Sequence, residues 1–193
     1  MLFGDGIEHV LLGWGGLDGP APIGASGLVR FDLATGRPDW SFAPPDDLRA
    51  IDDCYALNVA EDATWIYYYR CFDLVRIGRD GTTRRWKTET SGARALACDT
   101  DRTLLIGRYG ERWNATLWRR ATDRLEEPHN VTIALPDGST PTARAFGRGD
   151  RILISDGPRW FAANLADILE DSSDDEAGAD PGSPLDHIRH RHS

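Results

Sequence analysis

Tyrosine, arginine and histidine supply the densest groups of side chains that could do chemistry in this chain. Tyr67, Tyr68, Tyr69 and Arg70 stand in a row. On an extended strand alternate side chains point to opposite faces, so Tyr67 and Tyr69 share one face and Tyr68 takes the other. Hydroxylated rings beside a guanidinium are residue types that interfaces favour. Tyr67, Tyr69 and Arg70 are therefore the candidate binding surface. The competing expectation for the same residues is packing between sheets with the hydroxyls hydrogen-bonded. His187, His190 and His192 form an HxxHxH cluster near the C-terminal end and are the candidate metal ligands. Imidazoles at that spacing can take a transition metal, and a solvated tail is the alternative. His9 and His129 stand alone.

Other groupings have simpler explanations. Asp52-Asp53, Glu61-Asp62 and Asp99 with Asp101 are acidic pairs near expected strand ends. Paired carboxylates can hold a metal or share a proton, but Asp also caps turns by accepting backbone N–H bonds. Cys54, Cys71 and Cys98 are widely spaced, with no CxxC and no His at ligand spacing, which fits reduced thiols in a reducing compartment. Gly147-Arg-Gly-Asp150 reads as a turn. Gly13-Trp-Gly-Gly16 is not followed by a helix and is no nucleotide fingerprint. No nucleophile elbow, zinc-protease or phosphate-loop motif occurs. These patterns assign no catalytic residues and no cofactor.

Charge narrows the partners. The formal net charge is −9 and the isoelectric point about 5.0. Nucleic-acid binding requires a basic face that displaces phosphate counterions, so no nucleic-acid partner is expected. Neither a signal peptide nor an apolar run of membrane-spanning length is visible, so a cytoplasmic protein with no membrane partner is expected. Lys87 is the only lysine against many arginines, a bias that GC-rich bacterial coding produces. Any partner is a protein or a small molecule of unknown identity.

The elements that must position these groups follow a repeat. Gly27 to Trp40 reads as two short strands joined by a turn at Ala34-Thr35-Gly36, with Val29 and Phe31 alternating against Arg30 and Asp32. Leu74-Val-Arg-Ile77 matches Leu28-Val-Arg-Phe31, and Trp86 stands 46 residues after Trp40. A period of that length with several strands per repeat predicts β-propeller blades. The second unit is expected to run through strands Cys54–Val59, 64–69, 72–77 and 82–87. The third is expected at 93–98, 103–108 and 114–119, with a fourth strand within 124–133. The last unit is expected at 143–146, 151–155 and 159–164. The first holds a strand at 9–14 and the 27–40 hairpin, after a lead-in over residues 1–8. Third-strand markers fall at Val29, Val75, Trp118 and Trp160, spaced 46, 43 and 42 residues apart. The seven Trp suit a fold that fills the space between facing sheets with aromatic rings. Trp40 and Trp86 should then share one environment.

The fold class expected is all-β, a propeller-like array of about four antiparallel blades of three or four strands. Its end units look incomplete. Either the chain is part of a larger propeller or it closes as a compact four-bladed ring. The propeller-like domain covers 1–166. From 167 to 193 acidic, Ser, Gly and Pro residues take over, the composition of a disordered tail.

Residues 27–40 also resemble the repeat of the quinoprotein-like (PQQ-like) propellers. The shared pattern is Val29, Phe31-Asp32, Ala34-Thr35-Gly36 and Trp40. The resemblance implies a propeller. It does not extend to quinone redox chemistry, because the adjacent cysteine pair of the dehydrogenases is absent. The expected function is a non-catalytic binding or scaffold protein. The alternative is an enzyme with its site at the propeller channel, a quinoprotein-like oxidoreductase or a hydrolase, possessing only part of the ring.

Overall fold

The structure is a computed structural model that describes residues 2–5, 26–46, 48–51, 53–69 and 71–168. Fourteen strands are named among them, and the one helical segment is a single turn at 165–168. No helix among the described residues is long and apolar enough to cross a membrane. The chain divides into two compact units. One comprises residues 1–54 with 68–71, the other residues 55–67 with 72–193.

The first unit carries a three-stranded antiparallel sheet in the order β1 (Leu2–Asp5), β2 (Leu28–Phe31), β3 (Pro38–Ser41). Residues 2–5, expected as a lead-in, pair with β2 from Leu2↔Phe31 to Asp5↔Leu28. The strand expected at 9–14 lies outside the described residues. The β2–β3 turn is built by Asp32, whose carboxylate accepts the Thr35 N–H and hydroxyl, each at 2.8 Å. Gly36 closes the turn with φ +65°, a conformation that only glycine adopts without strain. Gly27 is fixed by space as well as by its φ of +71°, since a Cβ there would come within 2.4 Å of the Ile51 side chain.

The second unit contains three consecutive antiparallel meanders. The first is β4 (Cys54–Val59), β5 (Ala63–Tyr68), β6 (Leu74–Gly78) and β7 (Thr83–Trp86). The second is β8 (Ala95–Cys98), β9 (Arg102–Arg108), β10 (Glu111–Arg120) and β11 (Leu125–Thr132). The third is β12 (Arg144–Arg148), β13 (Arg151–Asp156) and β14 (Arg159–Asn164). The predicted strands and these strands coincide one for one, with ends differing by a few residues. The β4 and β12 strands meet in parallel at a single pair, Gly147↔Asn58, which links their meanders into one seven-stranded sheet. The β8–β11 meander is a sheet of its own, and among the described residues no sheet closes on itself. The architecture is all-β, antiparallel within every meander.

The first strands of the three meanders converge on Asn58. Its side-chain N–H groups donate to the carbonyls of Leu96 (2.9 Å) and Gly149 (2.8 Å), and its Oδ1 accepts the Gly149 N–H at 2.7 Å. Cys98 N–H also donates to Gly149 O at 2.9 Å. Gly147 is required here by space alone, since a Cβ would lie 1.6 Å from Leu96 O.

The core forms two layers, one on each face of the β8–β11 sheet. On one side Leu105, Leu96 and Trp118 pack with Trp65, Leu74 and Trp86 of the β4–β7 meander. On the other, Leu104, Ile106 and Leu117 pack with Ile152, Ile154 and Phe161 of the β12–β14 meander. The strand period of two sends Leu104 and Ile106 one way and Leu105 the other, so one strand feeds both layers.

Trp40 and Trp86 do not share an environment. Trp86 stands opposite Leu74 and is buried, whereas Trp40 stands opposite Arg30 and is half-buried. The residue opposite Leu28, the counterpart of Leu74, is Phe42, whose N–H donates to Leu28 O. The longer Asp32 turn and the register slip between Arg30 and Phe31 move the returning strand by two residues. Phe42, buried like Trp86, is thus the true counterpart.

Candidate functional site

The β12–β14 meander has one face in the core and one in solvent. Pairing is in register, so residues directly opposite lie on the same side. Ile152, Ile154 and Phe161 point inward. The outward rows are Arg144–Ser155–Trp160, Phe146–Leu153–Ala162 and Arg148–Arg151–Asn164. Along β12 the sequence Arg-Ala-Phe-Gly-Arg puts both arginines and the phenylalanine on the outer face by alternation alone. Phe146 and Trp160 sit diagonally and stack, with ring centroids 6.2 Å apart and planes at 29°. They remain 43% and 61% exposed. Arg144, Arg148 and Arg151 are exposed and pair with no carboxylate among the described residues.

The third-strand markers show what is unusual here. Val29, Val75 and Trp118 are 1%, 0% and 7% exposed, while Trp160 is 61% exposed. The position that is covered in three meanders is uncovered in the fourth. A stacked aromatic pair costs solvation when bare and is favoured when a partner covers it.

At one end of this face Asp156 fixes the β13–β14 turn. Its carboxylate accepts the Thr142 hydroxyl (2.6 Å), the Thr142 N–H (3.0 Å) and Arg159 (2.5 Å). The Thr142 bonds, followed by Arg159, hold its pKa down at about 2.

Of the residues singled out from sequence, Tyr67 and Tyr69 are described, and they lie in different surroundings. Tyr67 is fully buried, and its hydroxyl donates to Thr90 O at 2.7 Å. Burial leaves its phenol far above the usual range. Its ring belongs to a cluster with Phe72, which also meets Tyr55 and Tyr109 edge-on. The Tyr55 and Tyr109 hydroxyls are 2.7 Å apart. Tyr69 lies in the turn after β5 and is exposed. The strand ends at Tyr68, so the alternation that was to align Tyr67 with Tyr69 stops short. Tyr68 is buried and donates its hydroxyl to Arg49 O at 3.2 Å. Arg70, His187, His190 and His192 lie outside the described residues.

Two further constellations carry charge. Arg120 lies against both Trp65 and Trp86, at 4.6 and 5.8 Å from their ring centroids, which are themselves 5.6 Å apart. Its guanidinium donates to Arg102 O, to Thr103 Oγ1 (2.7 Å) and to Asp99 O (2.5 Å). Burial lowers its pKa from the usual arginine value. Cys98 beside it is buried, and that burial pushes its thiol up to about 12. An open groove of about 190 Å³ beside Thr90 and Asn130 contains Arg108 and Glu111. These two are tied to each other at 2.5 and 2.8 Å, which leaves the groove without a free charge from either. Among the described residues no group of three His, Cys, Asp or Glu side chains converges on a common point.

A model of the YxzG family matches residues 44–110, about a third of the chain, taking in β4 to β9. No curated protein matches the chain. The outer face of β12–β14 lies beyond the matched segment. In the sequence that face was legible only as alternation and as one more Trp at the repeat spacing. Nothing in it indicated that no further layer would cover Trp160.

Proposed function

We propose that this protein is a non-catalytic binding or scaffold module of the β-propeller type, and that it engages a protein partner through the outer face of β12–β14. The uncovered Trp160, at a position buried in the three preceding meanders, carries the reading. Aromatic residues and arginine are what protein interfaces concentrate at their centres. The Phe146–Trp160 stack with Leu153 between the strands forms an apolar centre, and Arg144, Arg148 and Arg151 form a basic rim. A partner that presents apolar side chains flanked by carboxylates satisfies both. The propeller reading draws support from consecutive meanders whose first strands converge and whose faces stack through shared core layers.

The test is a peptide-display selection on the full chain, with the Phe146→Ser/Trp160→Ser chain as counter-selector. Recovered peptides should be acidic and apolar, and should bind the substituted chain at least about tenfold more weakly, as loss of central aromatic anchors entails. Peptides that bind both chains equally, or a selection that yields none, would sink the proposal. Both positions are exposed, so the substitutions should leave the unfolding midpoint nearly unchanged.

A further inference from the structure

We infer that β14 takes an extended segment of a protein partner as an added antiparallel strand, held by the backbone groups of Trp160 and Ala162. This rests on the reading of the outer face of β12–β14 as a docking surface and names how the partner is gripped there. The added strand carries a carboxylate and, two residues on, an apolar side chain.

Strand count is the first argument. The β4–β7 and β8–β11 meanders have four strands each, and the β12–β14 meander has three. In the β8–β11 meander the fourth strand brings Leu125 into the layer that covers Trp118. β14 is the end strand of its sheet, and no described strand takes that place beside Trp160.

Unmet backbone bonds are the second. Leu165 N–H donates to Asp150 O at 2.9 Å. Antiparallel pairs alternate between those that exchange bonds and those that do not. In the β13–β14 register the bonded pairs are therefore Ile152–Ala163, Ile154–Phe161 and Asp156–Arg159. The N–H and C=O groups of Trp160, Ala162 and Asn164 point out of the sheet edge. The Asn164 N–H has Asp167 Oδ2 at 3.4 Å. Trp160 and Ala162, both exposed, have no partner for theirs among the described residues.

An undefended edge is the third. Edge strands in folded proteins carry charges or proline that discourage pairing. The other hairpins and meanders end on strands of that kind. β3 has Pro38 and Asp39, β7 has Arg84 and Arg85 within four residues, and β11 has Glu126, Glu127 and Pro128. Between Arg159 and Asn164, β14 runs Trp-Phe-Ala-Ala, with neither charge nor proline.

The rows of the outer face set the chemistry of the added strand. It extends each row by one residue. Beyond Phe146–Leu153–Ala162 that residue is apolar, lying over the small Ala162 and against Trp160. Beyond Arg148–Arg151–Asn164 it is a carboxylate, because both arginines are exposed and without a carboxylate partner among the described residues. Arg151 is two strands away, about 10 Å, a span that two long side chains close across the short Asn164.

The test titrates the isotope-labelled full chain with the peptide acetyl-Thr-Glu-Thr-Leu-Thr-Val-Thr-amide and follows amide hydrogen exchange by NMR. Exchange at Trp160 and Ala162 should slow at least about tenfold, as new backbone bonds entail. Phe161 and Ala163, already bonded to β13, should change little. A methyl on the Leu nitrogen of the peptide, which faces β14, should abolish the slowing. A methyl on the nitrogen of the Thr that follows faces away and should leave it intact. Ala162→Pro removes the outward N–H while sparing the β13 ladder, and should abolish the slowing at Trp160. Should that variant fold poorly by circular dichroism, the two methylated peptides decide alone. No slowing at Trp160 and Ala162, slowing confined to another edge strand, or equal effects of the two methyl groups would overturn the inference. A partner laid across the face without pairing to β14 would pass the display selection and fail here, so the docking face stands or falls separately.

Discussion

Arg120 shows how one side chain can be made indispensable without chemistry. A buried guanidinium is costly unless its donors are satisfied, and here carbonyls, a hydroxyl and two indole rings satisfy it. The planar fork reaches Asp99 O and Thr103 Oγ1 from two separate nitrogens, a spacing that the single nitrogen of a lysine does not reproduce. Arg120→Lys should therefore destabilise the fold by about 1.5–3 kcal/mol, the range for hydrogen bonds to a charged group. Urea unfolding of the two proteins checks it, and a change within about 0.5 kcal/mol, the usual surface range, would contradict the arrangement. Nothing in the sequence marked this arginine among so many. Its environment is made by Trp65 and Trp86, each more than thirty residues away, and by backbone carbonyls that carry no sequence signal.

Strands and turns were the most legible level, and the limits of that legibility lie in the turns. Alternation and turn residues placed the meanders because a half-buried strand must alternate. The 46-residue match of Trp40 with Trp86 failed because sequence spacing counts residues and pairing counts hydrogen bonds. Asp32 holds a longer turn in the first hairpin, so Phe42 takes the place opposite Leu28. Phe42→Ala and Trp86→Ala should each cost about 3–5 kcal/mol, as deletion of a buried ring does. Trp40→Ala, at a half-buried position, should cost about 1 kcal/mol. Equal losses for Trp40 and Trp86 in denaturant unfolding would restore the original register. The turn held by Asp156 gives a pH signature. Its folded pKa is about 2 against an ordinary 3.8, so its contribution is full above about pH 4 and fades as pH falls towards 2. Asp156→Asn should lower the melting midpoint at pH 6 and converge with the parent protein near pH 2. A constant difference across that window would show that the carboxylate charge plays no part.

At the scale of the whole chain, the sequence carried the rhythm of repeats but not how the repeats meet. Faces are covered or bare according to contacts between meanders that are distant in sequence, which is why Trp160 read like Trp118 until their surroundings were seen. The junction at Asn58 is of the same kind. It sits on β4, yet its three hydrogen bonds go to Leu96 and to Gly149, which lie on the second and third meanders of the unit. Asn58→Ala removes those bonds and strands the buried Leu96 carbonyl and Gly149 amide, at about 1–3 kcal/mol for each group left unpaired. Gly149 O keeps the Cys98 N–H and should suffer least. Gly147→Ala is harsher, because its methyl carbon would stand 1.6 Å from Leu96 O and the two strands must part to admit it. That substitution should exceed about 4 kcal/mol, the size reserved for a steric conflict in a packed interior. Gly149→Ala provides the control: no atom lies within 4 Å of its Cβ position, so only its φ of +59° penalises it. The expected order of unfolding midpoints is parent, Gly149→Ala, then Gly147→Ala. If Gly147→Ala is as stable as Gly149→Ala, β12 does not approach β8 this closely and the convergence of the three meanders at Asn58 is wrong.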